Sequence, residues 1–182
     1  MLEKKFLNWF KSANDFSKPK TFIIDIKNLK KWNFTKRTIH HDSNRFFNIK
    51  YYKVLSKVKN ITKVFYSPFI VQKEVGILGI LVKKFKNGYK YLLQAKFEPG
   101  NINKIQISPT LQATKSNYNK VHKGKKTDFV NLFLKTIDKK KYIFKKKLPE
   151  QGTRYINKYN QNIVGFQIIS VHYADDATIS IT

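Results

Sequence analysis

Between Gln94 and His122 the chain reads QAKFEPGNINKIQISPTLQATKSNYNKVH, a run rich in hydroxyl and amide side chains that repeats nowhere else in the sequence. Gln94, Asn101, Gln106, Ser108, Thr110, Gln112, Thr114, Ser116 and Asn117 each bring a donor, an acceptor or both. Groups of this kind set so closely suit a neutral, polyhydroxylated ligand, which is held by several directional hydrogen bonds. The same composition also describes a polar surface loop, and the stretch alone leaves both readings open. A second gathering, His40, His41 and Asp42, has metal-ligand chemistry but no further ligands nearby. Exposed loop histidines are the expectation there.

The elements that must carry the polar stretch lie just before it. VGILGILVKKF at 75–85 reads as a buried strand, Lys86 to Gly88 as a turn, and YKYLLQAKF at 89–97 as the antiparallel partner. Alternation sends Leu92, Gln94, Lys96 and Glu98 to one face and Tyr91, Leu93, Ala95 and Phe97 to the other. The second set is expected to be core, and the first to form the wall of a cleft. A three-residue loop, Pro99 to Asn101, would pair Gln94 with Gln106, Lys96 with Lys104 and Ala95 with Ile105. Ser108–Pro109 could open a helix with Leu111, Thr114, Tyr118 and Val121 on one face; a structured loop fits the composition equally well.

Elsewhere the patterning is plainer. Leu2, Phe6, Trp9 and Phe10 have helical spacing, with Ser17 to Lys20 as the stop. TFIID at 21–25, Phe46 to Val54 and SPFIV at 67–71 read as strands, and Leu29 and Trp32 as anchors of a turn. DFVNLFLKTI at 128–137 reads as a helix burying Val130, Phe133, Leu134 and Ile137. A lysine-rich connector, Lys139 to Lys147, reads as an exposed strand, and Ile163 to Val171 as the last one.

A chain of 182 residues suits one domain with its own core. Without cysteine there is no disulfide framework and no thiolate site. The first residues lack the apolar run of a secretory signal, and no stretch has the roughly 18 apolar residues of a membrane span; a soluble cytoplasmic protein, with no membrane partner, is expected. The net charge of +26 invites a nucleic-acid reading. Yet Lys, Asn, Ile, Phe and Tyr make up about half the chain, and arginine, the residue of bidentate phosphate recognition, stands only at 37, 45 and 154. The charge is then largely drift on solvated faces, with nonspecific polyanion binding as its by-product.

Several segments carry a family likeness: NLKKW at 28–32, HHDSNRFF at 40–47, EVGILG at 74–79, LLQAKFEPGN at 92–101, QISPTLQATKSNY at 106–118, VHKG at 121–124 and EQGTRY at 150–155. Over about 29–164 the chain resembles the NDP-hexose 2,3-dehydratases. The resemblance implies an α+β, Nudix-like fold, a mixed sheet flanked by helices. Family members carry two such modules in tandem, so this chain corresponds to one, with 171–182 as an atypical tail. Pairing with a second module or a second copy is implied, strengthening with salt as the +26 charge is screened.

The implied substrate is a nucleotide-diphosphate 4-keto-6-deoxyhexose. Its ketone acidifies the C3 proton, a base removes that proton, donors hold the enolate, and an acid protonates the departing 2-hydroxyl. The substrate supplies its own electron sink, so neither redox cofactor nor metal is expected. The acidic REXXEE-type cluster of Nudix hydrolases is missing, which argues against phosphoanhydride hydrolysis. Carried over on the motifs, Tyr118, His122, Lys96, Glu98 and Glu150 become acid–base candidates, with Tyr118 and His122 four residues apart. Arg154 becomes the diphosphate clamp, with Lys158 and Lys120 as weaker candidates. The alternatives are a non-catalytic nucleotide-sugar-binding module and a basic nucleic-acid-binding protein.

Overall fold

The computed structural model describes residues 2–16, 20–102, 104–119, 127–134, 142–150, 152, 154–166 and 178–181. Helix α1 (Leu2–Phe16) carries the apolar spacing expected of it, with Phe6, Trp9 and Phe10 clustered on one another. Residues 21–25 are not a strand; they are exposed chain leading to a short 3-10 turn, Ile26–Asn28. Asp25 decides this locally, because its carboxylate accepts from the Lys27 backbone N–H at 2.8 Å and caps the turn.

Two sheets follow. The first runs β1 (Trp32–Phe34), β2 (Thr38–His41), β3 (Asn48–Val58) and β4 (Ile61–Val71) in spatial order, antiparallel throughout. The hairpin β3–β4 is longer than the alternation suggested. It closes at Lys59–Asn60, with Lys59 at φ 54°, and keeps an unbroken register from Val58↔Ile61 to Asn48↔Val71.

The second sheet is mixed. Its spatial order is β11 (Thr178–Ile181), β6 (Gly88–Phe97), β5 (Gly76–Phe85), β10 (Tyr159–Phe166) and β9 (Tyr142–Pro149). Strand β7 (Ile105–Pro109) pairs with β6, and β8 (Leu111–Ala113) with β5. Among the described strands only β5 and β10 pair in parallel, so the sheet is mixed as expected. Helices α2 (Lys115–Tyr118) and α3 (Val130–Leu134) are short. Ser108–Pro109 ends a strand, and Leu111 lies in the next one, so the helix begins only at Lys115.

The core is Ile77, Leu81, Leu92, Leu111, Ala113, Val130, Phe133 and Ile163. Helix α3 supplies Phe133, which packs on Gly79; a Cβ there would lie 2.3 Å from the ring. This placement corrects the expected facing of β6. Leu92 is 4 % exposed and Tyr91 is 41 % exposed, so the face bearing Leu92 joins the core at that end, while Tyr91 and Phe97 on the partner face are exposed. Alternation separated the two faces correctly, but α3 determined which one is covered.

The β6–β7 register is also corrected. Gln94 faces Ser108, Ala95 faces Ile107 and Lys96 faces Gln106. Two turns in succession lengthen the loop: the Asn101 N–H donates to the Glu98 carbonyl at 3.0 Å and the Lys104 N–H to the Asn101 carbonyl at 3.3 Å. A shift of two residues returns every side chain to its own face, so Gln94 and Gln106 still share one.

Candidate functional site

Where β6 leaves β5, the chain solves a hydrogen-bonding problem with one side chain. The β5–β6 ladder ends at Leu81↔Leu92, and beyond it β8 takes the place beside β5. Thr110, fully buried, sits at that fork. Its hydroxyl accepts from the Leu81 N–H at 2.9 Å and donates to the Leu92 carbonyl. Gln94 adds a bond from its Nε2 to the Thr110 carbonyl, 2.8 Å. Two polar residues read from the sequence as ligand contacts are thus spent on buried backbone groups that water cannot reach.

The fork opens a cleft of about 210 Å³ near the starts of the parallel strands β5 and β10. Of the residues singled out from the sequence, Lys96, Glu98, Gln112, Thr114, Asn117, Glu150 and Lys158 line it. They come from β6, β8, the start of α2, and the segments flanking β10 and ending β9. Lys96 and Glu98 form an ion pair at 2.9 Å, about two-fifths exposed. In that setting the pair contributes at most about 1 kcal/mol, and its protons are accessible from the cleft.

The opposite wall is more deeply set. Lys158 is 5 % exposed, and its Nζ donates to the Glu74 carbonyl. Burial pushes its pKa below the ordinary 10.5, while the charges of Glu150 and Glu74 pull it back up. Asn160, also buried, donates from Nδ2 to Glu150 Oε2 at 2.5 Å and accepts the Gly76 N–H on Oδ1 at 3.2 Å. A Cβ on Gly76 would stand 2.8 Å from that Oδ1, so glycine is what allows the amide to approach. The Glu74 carboxylate accepts from both the N–H (3.2 Å) and the hydroxyl (2.8 Å) of Ser116 and ties α2 to the entrance of β5.

The remaining described candidates stand outside the lining. Ser108 donates to Gln112 Oε1 at 3.1 Å and so orients a lining residue from behind. Asn101 bonds the Lys96 and Lys104 carbonyls, each at 3.3 Å, and locks the loop. Gln106 is exposed opposite Lys96. Tyr118 packs against the core, where burial, helped by Glu74, raises its pKa above 10.0. Arg154 is exposed; its carbonyl accepts the Ile70 N–H at 2.7 Å, and Ile70 in turn accepts the Ile156 N–H at 3.1 Å. That exchange joins the first sheet to the cleft-bearing segment. His122 and Lys120 lie outside the described residues.

Sequence reasoning passed over Gln72, Glu74, Gly76, Leu78, Tyr155 and Asn160. Glu74 and Gly76 lie inside EVGILG and Tyr155 inside EQGTRY, so the signal was present in segments read only for their likeness. Nothing in the local sequence marks Asn160 as different from the other asparagines.

The chain is therefore a small α+β module whose mixed sheet splits to form a polar, acid- and amine-lined cleft. The family description "NDP-hexose 2,3-dehydratase" matches residues 3–176, and the chain belongs to that family. It is 38 % identical over 144 residues to a dTDP-4-dehydro-6-deoxy-α-D-glucopyranose 2,3-dehydratase of Saccharopolyspora spinosa, covering 78 % of this chain and 29 % of the relative. The corresponding enzyme of Streptomyces violaceoruber is 39 % identical over 126 residues, 69 % of this chain and 28 % of its own length. That of Amycolatopsis orientalis is 37 % identical over 159 residues, 84 % and 34 % respectively. The chain spans about a third of the length of these relatives. No helix among the described residues is long and apolar enough to cross a membrane.

Proposed function

We propose that this chain is a single, Nudix-like module that binds a dTDP-4-keto-6-deoxyhexose in the forked-sheet cleft and removes water across C2 and C3. One observation carries the reading: Glu150, Lys158 and the Lys96–Glu98 pair, distant in sequence, meet in one cleft beside Gln112, Thr114 and Asn117. In this scheme Glu150, held by Asn160, takes the C3 proton. Lys158, an amine with little water around it, donates to the C4 oxygen as negative charge develops there. Lys96, fed by its pairing with Glu98, protonates the departing 2-hydroxyl. The amides and hydroxyl hold the remaining sugar oxygens, and Arg154 clamps the diphosphate.

Calorimetric titration with dTDP-4-keto-6-deoxyglucose, with loss of one water followed by mass spectrometry, tests it. Glu150→Gln should lower turnover about 100- to 10,000-fold while leaving affinity nearly unchanged. Full turnover in Glu150→Gln would remove Glu150 from the chemistry. Binding without any turnover in the native chain would leave it a binding module, and no binding at all would sink the proposal.

A further inference from the structure

Proton transfer in the cleft needs a carboxylate ready to accept and an amine ready to donate, and neither side chain secures its own role. Two backbone groups at the entrance of β5 bear on both. The Glu74 carbonyl accepts from Lys158 Nζ, and the Gly76 N–H donates to Asn160 Oδ1 at 3.2 Å. Asn160 in turn donates from Nδ2 to Glu150 Oε2 at 2.5 Å. It is 6 % exposed, so its amide is set among these partners rather than in water.

An asparagine amide can be turned end for end, and either end could face a carboxyl group. Here the backbone makes the choice. A peptide N–H can only donate, so the Gly76 N–H must meet the amide oxygen. The nitrogen is left pointing at Glu150. An ionised carboxylate only accepts hydrogen bonds, so a fixed donor is the partner it needs. Strand register holds these groups together. Asn160 faces Gly76 across the parallel β5–β10 ladder and Leu148 across β9, two residues before Glu150. Glu98, the other carboxylate of the lining, is instead paired with Lys96 on the open side of the cleft. There both long side chains keep much of their rotamer freedom.

We infer that Asn160 is a positioning residue that fixes the direction of proton transfer, its Nδ2 holding Glu150 as the proton acceptor because the Gly76 N–H claims its oxygen. The inference rests on the dehydratase reading above and gives the reason that Glu150, rather than Glu98, takes the C3 proton. The relay runs one way, from the peptide N–H through the amide to the carboxylate, and each group donates to the next.

The test is a swap of hydrogen-bond polarity in the full chain. Asn160→Asp keeps the shape and the acceptor for Gly76 but turns a second carboxylate toward Glu150, so it should melt below the native chain. Glu150→Gln combined with Asn160→Asp again sets a donor against an acceptor, with the amide now on the other side. That double variant should recover most of the lost melting temperature. A residue that only filled space or satisfied Gly76 would give no such recovery. With dTDP-4-keto-6-deoxyglucose, Asn160→Asp and Asn160→Ala should each lower kcat about 10- to 100-fold and leave KM nearly unchanged. If Asn160→Asp fails to fold, folding of the double variant is itself the expected recovery. A double variant that melts no higher than Asn160→Asp, or native kcat in either single variant, would overturn the inference. Absence of turnover in the native chain would remove the reaction itself, whereas a failed swap beside full native turnover overturns the inference alone.

Discussion

The two sheets are built from the same lysine- and aromatic-rich sequence and yet differ in what holds them. Every buried hydrophobic residue among the described ones belongs to the second sheet or to α3. The long β3–β4 hairpin has none, and Tyr51, Leu55, Val58, Ile61, Val64, Phe65 and Tyr66 on it are exposed. Hydrophobic side chains stabilise only where another element removes them from water. In the second sheet α3 and the parallel β10 do that. The hairpin instead rests on its ladder, on cross-strand pairs worth a few tenths of a kcal/mol each, and on the clasp at Ile70. The contrast extends to polar groups: the packed sheet holds buried ones within hydrogen-bonding distance of one another, as the proposed reaction requires, while the first sheet leaves ring surface exposed.

The largest expected effect probes this contrast directly. Phe133→Ala should cost about 3–5 kcal/mol by denaturant unfolding, whereas Val64→Ala on the hairpin should stay within about 0.5 kcal/mol. Comparable losses at both positions would show that the hairpin is covered in solution. A middle-sized effect is expected at the fork. Thr110→Val keeps the shape but strands the Leu81 N–H and the Leu92 carbonyl, at a cost of about 1–3 kcal/mol. Stability equal to the native chain would mean that water replaces the hydroxyl there.

The smallest effect is a pH dependence. Lys158 has a lowered pKa when folded, so between that value and the ordinary 10.5 the unfolded chain binds more protons and stability rises with pH. Tyr118 works the other way: its raised pKa makes the folded chain hold the proton longer, and stability falls as pH passes above 10.0. Thermal melts across the alkaline range should lose the rising limb in Lys158→Met and the falling one in Tyr118→Phe. A rising limb retained in Lys158→Met would place its source elsewhere.

Much of this was written locally. The pairing of β5 with β6 followed from the apolar run and the Lys-Asn-Gly turn, and α3 from the spacing of Val130, Phe133 and Leu134, although Leu134 is exposed rather than buried and Ile137 lies outside the described residues; family membership followed from motifs several residues long. These depend on neighbours within a few residues, where periodicity and turn chemistry act. The second hairpin turn, Lys59–Asn60, was missed because it has no glycine to mark it.

What sequence could not supply were the choices made by segments far apart in the chain. Alternation gave β6 two faces, but α3 arriving at Gly79 chose the one bearing Leu92 as core. Thr110 and Gln94 looked like ligand contacts, and only the fork reveals the buried backbone groups they satisfy. Lys158, Asn160 and Glu150 become a site because the parallel pairing of β10 with β5 sets them beside Gly76 and Glu74. A hydrogen-bonding side chain carries no mark of its eventual partner. That partner is fixed when distant strands pair and exclude water, and only the tertiary structure determines it.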